Sequence, residues 1–290
     1  MRKFLCAVAL VQSTVGGAAV FGTDDRVPIS DRASETRAIG LALYADRQAT
    51  AFLVDACFAV TSQHLVSATS NPLGQQVNLY LGKEQLTARA VRAGHVERAS
   101  GTIGYNNDWL LLKLDRCRPF APVVELAADP VTAPELIPDG GLKMTAIGYP
   151  SDLQRLTIDP DCRIHAVRAH GWLNDCAAQP GSSGGPLVVR HGKRMVAYAI
   201  QSGAYPTTGP EAFTTERANL ATPVLPIRQA LLEEQAKLST VRFAMRAQQR
   251  RSAFGWLLGR RRAPAQPALA SAISHQPAAS LLQAAAVAGR

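Results

Sequence analysis

The sequence lacks any apolar run close to the roughly 18 consecutive residues that a membrane-spanning helix needs, and its 290 residues read as a soluble, globular chain. Glycine (22) and proline (18) are scattered rather than clustered, which excludes fibrous and low-complexity classes. There is no Cys-x-x-Cys pair and no Cys/His cluster at zinc spacing, so neither a metal nor another cofactor is expected. No amphipathic helix of convincing length precedes Pro226. The body of the chain also lacks an excess of either charge. Ten of the 31 Lys/Arg but only two of the 22 Asp/Glu lie from Arg228 onward, so nearly all of the net +9 belongs to the C-terminal end. That balance argues against specific nucleic-acid recognition by the body.

Residues 1–19 have the layout of a secretory signal. Arg2 and Lys3 start it, Phe4 to Val11 supply the apolar stretch, and Gly17 and Ala19 are small exit residues, with a cut expected after Ala19. Export makes disulfides the natural reading of cysteine. Cys6 leaves with the signal, and the remaining four cysteines allow three pairings between which sequence alone does not choose. Cys162 with Cys176 would close a short loop, which would leave Cys57 for Cys117.

Between Arg37 and Leu114, and again between Leu142 and Gly203, short apolar runs rich in Val, Leu, Ile and Tyr are punctuated by Gly, Pro, Asn and Asp. Two sets of about six such strands fit two antiparallel β-barrels, spanning residues 20–118 and 119–226. Ile227, Leu231, Leu238 and Val241 then fall near helical spacing, giving a C-terminal helix over 227–250. Residues 251–290 are basic and rich in Ala, Pro, Ser and Gln, a composition expected to stay disordered. Their segment Arg250–Arg262, apolar between arginines, could rest on an anionic surface or be a linker without a role.

The chemistry concentrates in Gly181-Ser182-Ser183-Gly184-Gly185-Pro186, a glycine-rich turn leading into the strand Leu187-Val188-Val189. A serine hydroxyl becomes a useful nucleophile only when a base removes its proton and donors receive the charge on the substrate oxygen. Gly181 lets its own amide and that of Ser183 converge on one spot, and Gly184 and Gly185 are read as clearing the approach of a substrate carbonyl. An ordinary hairpin would explain this stretch taken alone.

Two further segments change that reading. Ala59-Val60-Thr61-Ser62-Gln63-His64 and Asn107-Asp108-Trp109-Leu110-Leu111-Leu112-Lys113-Leu114 precede the serine turn. Together the three motifs resemble, in kind and in order, those of the chymotrypsin-like (trypsin-like) serine proteases, over roughly Val20 to Arg228. The resemblance implies a chymotrypsin-like fold and a secreted endopeptidase acting on protein or peptide substrates. It implies Ser183 as nucleophile, His64 as general base and acid, Asp108 as its orienting partner, and the amides of Gly181 and Ser183 as the oxyanion hole. Asp115 and Ser182 are the local rivals for acid and nucleophile, and both are out of place in the motifs. By position, Ala177, Ala178, Gln201, Ser202 and Gly203 would form the walls of the specificity pocket, with Ser202 expected to hydrogen-bond Asp108. The absence of Asp or Glu there disfavours Lys or Arg as the residue before the cut, and favours small, apolar or neutral polar ones.

The departures are informative. Position 182 is Ser where animal digestive enzymes have Asp, so their activation switch is not expected, and the chain looks closer to the bacterial glutamyl endopeptidases. The start Val20-Phe21-Gly22-Thr23-Asp24-Asp25-Arg26 also resembles theirs, yet Gln201 stands where they carry His. Leu65 follows His64 where the family usually has Cys. The competing reading is a non-catalytic secreted binding module on the same barrels. The oligomeric state is not legible.

Overall fold

A computed structural model describes residues 19–30, 36–67, 69, 71–99, 102–119, 121–128, 140–204 and 212–240. All of the expected signal segment but Ala19, and all of the expected tail over 251–290, lie outside the described residues. By its internal contacts the chain divides into two units, Met1–Lys237 and Leu238–Arg290, and every strand belongs to the first.

The first half of that unit closes into a barrel of six strands: β2 (Ile39–Tyr44), β3 (Arg47–Asp55), β4 (Phe58–Thr61), β5 (Gln76–Leu81), β6 (Glu84–Ala93) and β9 (Leu110–Leu114), in the order β2-β3-β4-β9-β6-β5. Two-residue turns link β2 to β3, β3 to β4 and β5 to β6. Ala45 sits at φ 52° in the β2–β3 turn, and Gly82 at φ 60° in the β5–β6 turn, the left-handed backbone that tight hairpins demand. β4 and β9 are buried almost without interruption, which explains why they read as continuous apolar runs rather than alternating ones. Ile39, Phe52, Phe58, Leu79 and Leu110 to Leu112 are fully buried, each contributing about 1.5–3 kcal/mol of transfer free energy. The short hairpin β7 (Glu97–Ala99) and β8 (Thr102–Gly104) stands apart from the barrel.

The second half is one sheet whose path runs from β1 (Val27–Pro28) through β13 (Thr157–Asp159), β12 (Thr145–Gly148), β16 (Pro186–His191), β17 (Arg194–Ala204), β18 (Asn219–Pro223), β15 (Gly171–Asn174) and β14 (Arg163–Arg168) to β11 (Leu142–Lys143). The β11 end of this path returns to β12, because β11 and β12 are consecutive pieces of one segment interrupted at Met144. β11 pairs with β14 and β12 with β16, so the segment closes the ring. Met144 is buried with Ile164, Trp172, Leu187, Ala199 and Ala221 in this barrel's core, so the interruption is where the segment turns its side chain inward. β1 and β13 extend the edge beyond β12, and β10 (Glu125–Leu126) adds in parallel to β17. The all-β, chymotrypsin-like architecture read from sequence is the one observed.

Disulfides join Cys57 to Cys117 and Cys162 to Cys176. A helix, α1, is described over 225–240, starting two residues before the expected position; 241–250 lie outside the described residues. Pro226 in its first turn costs no hydrogen bond. Ile227, Ala230 and Leu231 are buried. Arg92 on β6 binds Glu233 at 2.7 Å and Glu234 at 2.8 Å, and Gln235 donates to Asp55 at 2.8 Å, tying α1 to the first barrel.

Candidate active site

The register of two strands brings His64 and Asp108 together. Thr61 at the end of β4 lies opposite Leu110 at the start of β9. The residues just past one and just before the other therefore emerge at the same end of the barrel. There β4 passes into a 3-10 turn, Gln63–Val66, that carries His64. Asp108 is 0% exposed, while the His64 side chain keeps 30% of its surface. One carboxylate oxygen, Oδ2, lies 2.6 Å from His64 Nδ1, and Oδ1 accepts the His64 backbone N–H at 2.9 Å. The carboxylate thus fixes both the ring and the peptide that bears it. A proton held on Nδ1 leaves Nε2 as the acceptor. Burial pushes the imidazole pKa down, but the charge and hydrogen bond of Asp108 outweigh it, and the net shift is upward from 6.5 despite an opposing contribution from Arg47. Asp115 lies at the far end of β9 and is exposed.

Ser183 sits in the turn ahead of β16, and the turn's carbonyls are pinned one after another. Pro180 accepts from the Ser151 amide at 2.7 Å, Gly181 from the Thr50 hydroxyl at 2.8 Å, Ser182 from the Gly185 amide at 2.9 Å, and Ser183 from the Thr50 amide at 2.7 Å. In a trans peptide the N–H points opposite to the carbonyl. Pinning the carbonyls of Pro180 and Ser182 therefore aims the N–H groups of Gly181 and Ser183 the other way, and neither finds an acceptor among the described residues. Gly181 makes this possible with φ 97°. The Ser183 hydroxyl donates to the Ser202 carbonyl at 3.4 Å; among the described residues no hydrogen bond joins it to His64. Ser182 is buried, and its hydroxyl accepts from the Gln179 amide at 3.4 Å, turned into the loop.

Two expectations are corrected. A Cβ on Gly184 would stand 2.3 Å from the Thr50 carbonyl oxygen, and one on Gly185 2.3 Å from that of Ile147. These glycines leave room for neighbouring backbone, not for a substrate. Ser202 does not reach Asp108. Its hydroxyl pairs with Thr222 Oγ1 at 2.7 Å, where a register shift between Gln201 and Gly203 faces it toward β18, and the hydrogen bonds of Asp108 run to His64.

Ala177, Ala178, Gln201 and Ser202 are buried around the turn, and Gly203 packs against the Tyr105 ring. Gln201 Nε2 donates to the Gly203 carbonyl at 3.4 Å, and Gln201 Oε1 has no hydrogen-bond partner among the described residues. A cavity of about 10 Å³ lies among Ala177, Ala178, Asp159 and Gln201. A far larger one, about 550 Å³, lies instead on the first barrel between Leu81, Arg118 and Pro122.

Several residues that sequence motifs did not flag hold this region. Besides Thr50, Asp159 accepts the Ala177 N–H at 2.7 Å, and burial raises its pKa against the lowering effect of that bond. Asn219 donates to the carbonyls of Cys176 at 2.7 Å and Ala19 at 2.6 Å, and accepts the Ala19 N–H at 2.8 Å. Arg47 donates to the His64 carbonyl. Of the other histidines, His165 pairs with Asp175 at 2.7 Å and stacks on Phe213, a structural arrangement.

Two six-stranded barrels, with a carboxylate-held histidine at the end of one and a serine in a pinned glycine turn of the other, define a chymotrypsin-like serine protease architecture. The trypsin family model matches residues 30–224, and the chain belongs to that family. Among solved structures the fold is similar to a Glu endopeptidase, at 12% identity and TM-score 0.55, covering 75% of this chain and 100% of that one. Rv3671c from M. tuberculosis is also similar, at 17% identity and TM-score 0.45, covering 70% of this chain and 89% of that one. No curated protein matches the chain.

Proposed function

We propose that the protein is an exported serine endopeptidase acting through an acyl-enzyme on Ser183. The carrying observation is the buried Asp108 carboxylate holding His64 by both Nδ1 and the backbone amide. With Nδ1 occupied, Nε2 takes the Ser183 proton as Oγ bonds to the substrate carbonyl carbon. The electron pair displaced onto the carbonyl oxygen is received by the Gly181 and Ser183 amides, a role supported by the held carbonyls of Pro180 and Ser182. Collapse breaks the C–N bond, and His64 returns the proton to the leaving amine. Water then repeats the sequence to release the acid and regenerate Ser183.

Substrate would pair as an extended strand beside Ser202 and Gly203, the backbone groups of Gln201 being already bonded to Gly184 and Gly185. The alanines at 177 and 178 and the small adjoining cavity favour small, apolar or neutral polar residues before the cut. Two disulfides and the family support an oxidising, extracellular or periplasmic destination, with residues 1–19 as the export signal. The basic segment 251–290 would add contact with anionic surfaces.

The 3.4 Å contact of Ser183 with Ser202, in place of one with His64, is what a non-catalytic binding module would also display. A fluorophosphonate probe separates the two readings, since it reacts only with an activated serine. Labelling at Ser183, abolished in Ser183→Ala and His64→Ala, is expected. A folded, processed parent that stays unlabelled would leave the binding module.

A further inference from the structure

The β2–β3 hairpin delivers a cation to the back of the histidine turn. Ala45 at φ 52° makes a tight tip, and Arg47 follows it as the first residue of β3, paired with Tyr44. From there its Nη1 donates to the His64 carbonyl at 3.0 Å and to the Ser67 hydroxyl at 2.8 Å, spanning the 3-10 turn from His64 to its C-terminal cap. The same carbonyl also accepts the Ser67 amide at 3.2 Å. Among the described residues no carboxylate pairs with Arg47; its guanidinium is spent on a backbone oxygen and a hydroxyl. An arginine in a short hairpin would more ordinarily find a carboxylate or point into water.

We infer that Arg47 is a positioning residue for the general base: it clasps the turn that carries His64. This rests on the reading of His64 as that base. The clasp complements Asp108. The carboxylate holds the ring and the amide of His64 from the β9 side, and Arg47 holds the carbonyl from the β3 side, so the peptide groups on either side of His64 are both fixed. The charged groups acting on the imidazole are these two, since Gln63, Leu65 and Val66 of the turn itself, and Ser183 and Ser202 across the cleft, carry none. Asp108 favours the protonated ring and Arg47 disfavours it, the smaller of the two effects. A base held too firmly protonated would be silent at neutral pH, and Arg47 moderates that tendency. Because its guanidinium is exposed, the effect is screened by salt.

The test compares the parent with Arg47→Gln, Arg47→Lys and Arg47→Ala, following His64 by NMR titration and, separately, kcat and KM on a peptide substrate. Arg47→Gln and Arg47→Ala remove the charge, and His64 should titrate at higher pH in both; Arg47→Lys keeps the charge and should leave the titration near the parent's. Loss of the clasp in Arg47→Ala should lower kcat about tenfold, the worth of the one of its two hydrogen bonds that holds His64 itself, with KM little changed. Arg47→Gln, still able to donate, should lose less. Raising the salt should narrow the titration differences. An unchanged His64 titration in Arg47→Ala, or equal kcat in parent and all three variants, overturns the inference. The titration is readable in a protein with no activity, so failure of the enzymatic reading, seen as an unlabelled Ser183, is distinguishable from failure of this one.

Discussion

The two barrels contribute to the site by different means. In the first, hydrogen-bonded neighbours do the positioning: β4 and β9 are adjacent strands in register, and His64 and Asp108 fall together because Thr61 faces Leu110. In the second, the turn bearing Ser183 takes its shape from groups far away along the chain. Thr50 reaches the Gly181 carbonyl across 131 residues, and Asn219 reaches Ala19 across 200. One half-site is built by local register and the other by long-range tethers. Motifs record the first kind of construction well, since register and motif occupy the same residues. Tethers leave no such mark.

The contrast can be broken most forcefully at the register-built half. Asp108→Asn keeps the shape but cannot hold a proton on Nδ1 as a carboxylate does, so kcat should fall on the order of 10⁴-fold with little change in KM. A loss of tenfold or less would mean that His64 is held by something other than Asp108. The tethered half is tested by Thr50→Val, which is nearly isosteric. It removes the hydroxyl that donates to the Gly181 carbonyl and accepts the Tyr149 amide at 2.8 Å. The Gly181–Ser182 peptide, which lies between the two proposed donors, would then lose its anchor, and kcat should drop about tenfold to a hundredfold, below what a lost oxyanion donor costs because both donors themselves remain. Melting should register about 1–3 kcal/mol for the orphaned groups. If Thr50→Val lost stability but no kcat, the pinned carbonyls would serve the fold alone.

The same contrast explains what could be read beforehand. The strand runs, the all-β fold and the meeting of His64 with Asp108 were legible because each sits in a short pattern whose residue types have a chemical reason to be there. The presence of Gly184 and Gly185 was legible too, but not their purpose. A sequence displays the missing Cβ and hides what would occupy its place, here the carbonyl oxygens of Thr50 and Ile147. The hydrogen-bond partner of the Ser202 hydroxyl was misread for a related reason, since the register of β17 against β18 governs which neighbour it faces. Thr50, Asp159, Asn219 and Arg47 went unread because a threonine in a strand or an arginine at a hairpin tip is unremarkable until its distant partner is known.

The smallest of these effects concerns the N-terminal edge of the described residues. Ala19 is buried, exchanges two hydrogen bonds with Asn219, and accepts the Ala178 amide at 3.1 Å. A signal cut after Ala19, as the small-residue pattern suggests, would discard all of these. A cut one residue earlier would keep them, and would place an ammonium group where the Ala19 N–H meets Asn219 Oδ1, a charge-assisted bond in place of a neutral one. Proteins beginning at Ala19 and at Val20 should therefore differ. The shorter one should be less stable by about 1–3 kcal/mol and, on the proposed function, bind substrate more weakly, with KM raised more than kcat is lowered, because Asn219 and Ala19 hold Cys176 and Ala178 beside the proposed specificity wall and not the histidine turn. Asn219→Ala in the longer protein should reproduce the loss. Should the two proteins melt and turn over alike, the tether at Ala19 would contribute nothing, and the second barrel would hold its specificity wall by Asp159 and the Cys162–Cys176 disulfide without help from the N-terminal segment.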